Sequence, residues 1–117
     1  MQLHETEHAT AAIFHVKGRV DTAASQELER RVLLGLDRGV RYLVMDFSDL
    51  EYINSAGLRI LVMGYQRLHP SGGQVMVCGV RDYIAEIFDI SGYDRIFSMH
   101  ADIRQAMQAL EPTTDGQ

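Results

Sequence analysis

Strand-like and helix-like segments alternate along most of the chain, and this alternation limits the possible folds more than any other feature of the sequence. Runs rich in β-branched and aromatic residues are followed by segments with apolar residues three or four positions apart. Neighbouring parallel strands need a crossover of that length, which is usually a helix. The sequence therefore predicts an α/β domain with a largely parallel sheet and crossover helices.

Turn residues and helix caps set the predicted boundaries of these elements. Strands are expected at residues 11–16, 40–47, 74–80 and 95–99, with residues 3–10 as an edge strand beside the first. Helices are expected from Asp21 or Thr22 to Gly39, over 55–69, from an Asp82 cap to Gly92, and over 103–110. Residues 48–54 are predicted to form a turn. In the third helix the residues expected to face inward are Ile84, Ile87 and Phe88.

The length of 117 residues, 46% of them hydrophobic, fits one compact domain, which we predict over residues 1–110. Residues 111–117 are polar and include proline and glycine, so ordering them would cost entropy without burying apolar surface. We expect those seven residues to form a disordered C-terminal tail.

Charge and cysteine content exclude several classes of function. The chain has 11 basic and 16 acidic residues, a net charge of -5, so it lacks the positive surface expected of a nucleic-acid-binding protein. No apolar run approaches the ~20 residues needed to span a membrane. The single cysteine, Cys78, lies in an apolar run and indicates a core strand in a reducing compartment. The N-terminus does not resemble a secretory signal, so we expect a soluble cytoplasmic protein.

The junction between the predicted second strand and second helix carries a hydroxyl that could be modified. Asn54 and Ser55 are both favourable N-cap residues. A phosphoryl group on Ser55 would lie near the free N–H groups and the positive end of the helix dipole. It would also add about -1.5 to -2 units of charge, which could repel a docked partner. Alternatively, Ser55 only caps the helix, as such residues commonly do.

The second helix is predicted to be apolar on nearly all sides. Its sheet-facing side is expected to contain Leu58, Leu61, Val62, Tyr65 and Leu68. The opposite side contains Ala56, Ile60, Met63 and Gly64, interrupted only by Arg67. A helix of this kind is either covered on both sides or presents an apolar patch to a partner. The sequence leaves both possibilities open; in the second, Ser55 lies at the edge of the patch.

Residues 44–58, Val-Met-Asp-Phe-Ser-Asp-Leu-Glu-Tyr-Ile-Asn-Ser-Ala-Gly-Leu, resemble the signature of STAS domains. The resemblance is to the stand-alone bacterial anti-sigma factor antagonists in particular. It extends through the segment Gly-Tyr-Asp-Arg-Ile-Phe at 92–97, the closing helix, and the turn at 18–21. It implies a single domain with a mixed sheet of four or five strands and about four helices packed mainly on one face.

The same resemblance implies a partner switch. In its unmodified form the protein would bind an anti-sigma serine kinase of the histidine-kinase ATPase type and so free a sigma factor. Phosphorylation on Ser55, which precedes Ala-Gly-Leu as in the family, would abolish binding, and a metal-dependent serine phosphatase would reverse it. The residues expected to contact the partner are Asn54, Ala56, Gly57, Arg59, Ile60, Met63 and Arg67. Several family members have Asp before the serine, whereas this chain has Asn54, a comparable cap without a carboxylate.

Two alternatives to the partner switch remain. One is a STAS scaffold or transport-complex subunit in which Ser55 is never modified. The other is a receiver domain phosphorylated on Asp46; that chemistry needs a lysine late in the chain, and the only lysine is Lys17.

The sequence does not predict an enzyme, a cofactor or a metal site. No Gly-x-Ser-x-Gly motif or partner histidine accompanies Ser55, as nucleophilic catalysis would require. The glycines at 72–73 are not followed by Lys-Ser or Lys-Thr, so they indicate a turn and not a phosphate-binding loop. His4 and His8 have no third ligand near them in the sequence.

Overall fold

The computed structural model describes residues 1–110, and the predicted tail at 111–117 lies outside this range. The strands are β1 (Gln2–His8), β2 (Ala11–Val20), β3 (Tyr42–Ile53), β4 (Gln74–Cys78) and β5 (Ser98–His100). The helices are α1 (Thr22–Asp37), α2 (Ser55–Leu68), α3 (Asp82–Ser91) and α4 (Ile103–Gln108). Short 3₁₀ turns occupy His69–Ser71 and Tyr93–Arg95. No helix within these 110 residues has both the length and the hydropathy to cross a membrane.

The five strands form one mixed sheet in the order β1-β2-β3-β4-β5. β1 is antiparallel to β2, and every later neighbouring pair is parallel. Because each parallel strand adds to the same side of the one before it, crossovers of constant hand place α1, α2 and α3 on the same face. The predicted mixed sheet with helices mainly on one face is confirmed.

Each face of the sheet has its own apolar core. The larger core lies beneath α1, α2 and α3 and includes Phe14, Leu43, Met45 and Phe47, all 0% exposed. The smaller core lies beneath α4 and includes Ile13, Tyr42, Val44, Met76 and Cys78. Since residues along a strand alternate between faces, coverage on both sides explains why residues 40–47 are almost continuously apolar.

β3 is longer than the sequence predicts. Its pairing with β4 ends at Asp46 opposite Cys78, but its pairing with β2 continues to Ile53 opposite Val20. The turn predicted at 48–54 is therefore wrong. In this extension Leu50 and Ile53 are buried while the residues between them are exposed. The polar residues of this segment are typical of a turn. In the structure they lie on the solvent-exposed side of the part of the sheet that consists of β2 and β3 alone.

The boundaries of two shorter elements, α3 and β5, also differ from the predictions. Helix α3 begins at Asp82, and the residue in the N-cap position is Arg81, whose side chain makes no capping hydrogen bond. The predicted Asp82 cap is therefore wrong. Ile84 and Phe88 are buried as expected, but Ile87 is 38% exposed. β5 starts only at Ser98, because the preceding residues form the second 3₁₀ turn.

Candidate functional site

Ser55 is the first residue of α2, and its side chain is exposed. The N-cap is Asn54, whose Oδ1 accepts a hydrogen bond from the N–H of Gly57 at 2.9 Å. Because Asn54 does the capping, the Ser55 hydroxyl makes no hydrogen bond to any residue in the described range 1–110. The sequence left the choice of cap between these two residues open, and the structure assigns it to Asn54.

The N-terminus of α2 lies beside that of α1 at the carboxyl edge of β2 and β3. The backbone N–H of Asn54 donates to the carbonyl oxygen of Val20 at 3.0 Å, and its Nδ2 lies 3.5 Å from Oγ1 of Thr22. Asp21 caps α1 by accepting from the N–H of Ala24 at 2.9 Å. The positive ends of two helix dipoles therefore approach one surface and favour negative charge on the Ser55 oxygen, although the Asp21 carboxylate opposes it.

Two glycines allow α2 to lie close to the sheet. A Cβ atom on Gly57 would lie 2.6 Å from Cγ1 of Ile53, and one on Gly64 would lie 2.8 Å from Cδ2 of Leu43. Ile60 is only 3% exposed and belongs to the larger core. The prediction that Ile60 and Gly64 lie on the outer side of α2 is therefore wrong. The helical wheel misplaced them because α2 packs against both the sheet and α1.

The side of α2 that faces α1 forms one wall of a groove between the two helices. The groove has a volume of about 420 Å³ and is lined by Ser25 and Glu29 of α1 and by Ala56, Arg59, Ile60, Val62, Met63 and Gln66 of α2. Its wall contains the half-buried side chains of Ala56 and Met63, and the exposed Arg59 and Glu29 form its rim. Ser55 directly precedes Ala56, which lines the groove near the start of α2, but Ser55 is not itself a lining residue.

The structure brings together some of the seven residues expected to contact a partner and separates others. Asn54, Ala56, Arg59 and Met63 lie near the groove or at the start of α2, and each is at least partly accessible. Gly57 and Ile60 are both buried. Gly57 lets α2 approach Ile53, and the Ile60 side chain belongs to the larger core where it underlies the groove. Arg67 lies toward the other end of α2 and pairs with Asp37 of α1 at 3.2 Å.

Asp46 lies inside β3, on the face of the sheet that α4 partly covers, because β3 continues past residue 47, where the predicted strand ends. Its Oδ1 accepts hydrogen bonds from the hydroxyl of Ser48 at 2.6 Å and from the Ser48 N–H at 3.1 Å. Its Oδ2 lies 2.8 Å from Nδ1 of His15 on β2. Burial raises the pKa of this carboxyl, but the hydrogen bonds from Ser48 and His15 outweigh it and hold the pKa below its ordinary value of 3.8.

This environment does not suit a phosphoacceptor aspartate. Both carboxylate oxygens of Asp46 already make hydrogen bonds, and Asp46 is only 9% exposed. Within residues 1–110 no group of three or more His, Cys, Asp or Glu side chains could hold a metal ion. The contact between His15 and Asp46 is not visible in the sequence, since nothing there fixes the β2–β3 register that places the two residues opposite each other.

Comparison with known proteins finds a matching domain family and similar individual proteins. The sequence model of the STAS domain matches residues 1–106. BtrV of Bordetella bronchiseptica, a candidate anti-sigma factor antagonist, is 34% identical over 94 residues, which is 80% of each chain.

Two solved structures share the fold. An anti-sigma factor antagonist from Mycobacterium paratuberculosis is similar with a TM-score of 0.83 at 23% identity, over 92% of each chain. The Bacillus cell fate determinant SpoIIAA in its phosphorylated form is similar with a TM-score of 0.77 at 15% identity, over 94% of this chain and 100% of that chain. At these identities the likeness supports the fold alone.

Proposed function

The chain belongs to the STAS domain family, and from that premise we propose that it is an anti-sigma factor antagonist controlled by phosphorylation of Ser55. The proposal agrees with the name of its 34% identical relative BtrV, and SpoIIAA, which has the same fold, occurs in a phosphorylated form. In the proposed cycle the unmodified chain binds an anti-sigma serine kinase of the histidine-kinase ATPase type. That binding frees a sigma factor.

The observation that carries this proposal is the exposed, unbonded hydroxyl at the start of α2. A kinase must reach the hydroxyl oxygen from solvent, and Ser55 is exposed while the neighbouring Asn54 satisfies the helix N-terminus. Phosphorylation would form a bond from this oxygen to the γ-phosphorus of ATP, break the bond to ADP, and pass the hydroxyl proton to a base on the kinase. Capping by Asn54 means that the reaction breaks no existing hydrogen bond within residues 1–110.

The proposed docking surface is the groove between α1 and α2 together with the start of α2. The groove offers partly buried apolar side chains, Ala56 and Met63, with charged groups at the rim. Interfaces of this kind combine an apolar centre with a polar edge. Arg59 follows Ser55 by one helical turn, so a phosphate on Ser55 would lie within reach of the Arg59 guanidinium.

Phosphorylation would oppose docking in two ways. It places about -1.5 to -2 units of charge at the start of α2, next to the groove, where a docked partner would have to desolvate it. It also gives Arg59 an anionic partner within the same helix, which removes that guanidinium from contacts with the other protein. Removal of the phosphate by a metal-dependent serine phosphatase would restore both properties.

A phosphotransfer assay tests this function directly. The full chain is incubated with ATP and an anti-sigma ATPase of the same organism, and the modified residue is located by mass spectrometry. We expect an acid-stable phosphate on Ser55, and none on the Ser55→Ala variant. Phosphate on another residue, or an acid-labile acyl phosphate on Asp46, would contradict the proposal. If the chain binds the ATPase but carries no phosphate after incubation with ATP, the result would favour the alternative of a STAS scaffold in which Ser55 is never modified.

A further inference from the structure

Helix α3 carries an apolar stripe on its solvent side. Tyr83 is 50% exposed, Ile87 38% and Ile90 85%. These residues are spaced at i, i+4 and i+7, which places them on one side of a helix. The hydroxyl of Tyr83 donates to the carbonyl oxygen of Glu51 at 2.7 Å, which holds the ring in place. The Tyr83 end of the stripe is therefore held in place before any partner arrives.

The fold does not need these side chains for its core. The buried side of α3 consists of Ile84 and Phe88, which pack into the larger core. Phe88 makes edge contacts with the rings of Tyr93 and Phe97 at centroid distances of 6.5 and 6.1 Å. Since α3 is anchored by this other side, exposing three large apolar residues brings no benefit to folding. A contiguous exposed apolar patch usually marks an interaction site.

A row of carboxylates runs along the stripe. Asp82, Glu86 and Asp89 are all exposed and are also spaced at i, i+4 and i+7. The helical repeat places them immediately beside Ile90 and Tyr83. None of the three forms an ion pair with another residue of the described range 1–110. The surface thus combines apolar groups with carboxylates that form no ion pair within that range.

The negative charge beside the apolar stripe distinguishes between possible binding partners of this surface. A second copy docked through α3, with the two helices antiparallel about a two-fold axis, would place the two rows of carboxylates near one another. Residues 111–117 contain two acidic residues and no basic one, so they do not supply the missing positive charge. An anionic membrane surface would be repelled for the same reason.

We propose that the outer side of α3 is a docking site for a partner helix whose apolar residues are flanked by lysine or arginine. The apolar stripe would supply the buried contact, and the carboxylate row would fix the orientation of the partner and speed its approach. This site lies on a different helix from Ser55 and uses none of the groove residues, so a titration can test it separately from the modification of Ser55.

A pair of designed peptides tests the proposal on the full chain. Both peptides present leucines along one side of a helix; in one the flanking residues are lysines, and in the other they are glutamates. Backbone amide signals are followed by NMR during titration. We expect the lysine peptide to shift signals of residues 82–91 and to bind at least about tenfold more tightly than the glutamate peptide, with affinity falling as salt is added.

Two variants and a control sharpen the test. Ile90→Asp should weaken binding of the lysine peptide at least about tenfold, because Ile90 is the most exposed member of the stripe. Leu34→Asp changes an apolar residue of α1 that is 51% exposed and should leave binding unchanged. Glu86→Lys combined with Asp89→Lys should reverse the preference toward the glutamate peptide.

Three results would overturn the proposal. The peptides could bind equally, their shifts could map away from α3, or the chain alone could form a dimer that Ile90→Asp converts to a monomer. Repeating the titration with Ser55→Asp should give the same affinity, so the outcome at α3 is independent of the outcome at Ser55.

Discussion

Replacing Asn54 by alanine should destabilise the protein by an amount set by one hydrogen bond. In the structure Oδ1 of Asn54 accepts from the N–H of Gly57 at 2.9 Å, whereas its other contact, to Thr22, is long at 3.5 Å. Loss of an N-cap side chain costs about 1 kcal/mol, within a range of roughly 0.5–2 kcal/mol. For a domain of this size that corresponds to a fall in Tm of about 4 °C.

Urea denaturation followed by circular dichroism measures this loss, and Asn54→Asp is the matched control. Aspartate accepts the same hydrogen bond and adds a negative charge at the helix N-terminus, so its free energy of unfolding should equal or exceed that of the parent chain. The denaturant slope should be the same for all three proteins, since none changes the surface exposed on unfolding. Equal stability of the alanine variant and the parent would refute the assignment of Asn54 as the cap.

Two further predictions concern the face of the sheet covered by α4. The pKa of Asp46 is lowered in the folded state, so its charge contributes stability above the ordinary pKa of 3.8, and that stability is lost as pH falls through the folded value. Urea midpoints measured from pH 7 to pH 3 should therefore fall more steeply for the parent chain than for Asp46→Asn; parallel curves would contradict this. Burial raises the pKa of the Cys78 thiol to about 12, so iodoacetamide at pH 8 should label it only after urea is added, and labelling of the native chain would count against the buried position.

The architecture could be predicted because it depends on patterns that are local in the sequence. Alternating strand and helix segments imply a parallel sheet, and short connections with constant hand place the helices on one face. The resemblance at 44–58 predicts Ser55 as the modified residue, and this stays a prediction. Caps and turn residues located most helix ends to within one or two residues, as at α1 and α2.

The errors share a different physical origin, which is the identity of the neighbour that covers each residue. The helical wheel places Ile60 and Gly64 on the outer side of α2, because the sequence does not show that α1 packs beside α2. Ile87 is predicted to face inward, because the spacing of apolar residues along a helix does not distinguish a core residue from an exposed apolar one. The His15–Asp46 contact depends on strand register, which is fixed by the folded sheet and not by either strand alone.

The most direct test of the central claim is the affinity of this protein for its anti-sigma ATPase, measured by calorimetric titration. Three variants of the full chain are compared: Ser55→Ala, Ser55→Asp, and Ser71→Asp, which adds the same charge just beyond the opposite end of α2. We expect Ser55→Ala and Ser71→Asp to bind as the parent chain does, and Ser55→Asp to bind at least about tenfold more weakly. Equal affinity for the two Ser55 variants would contradict the account.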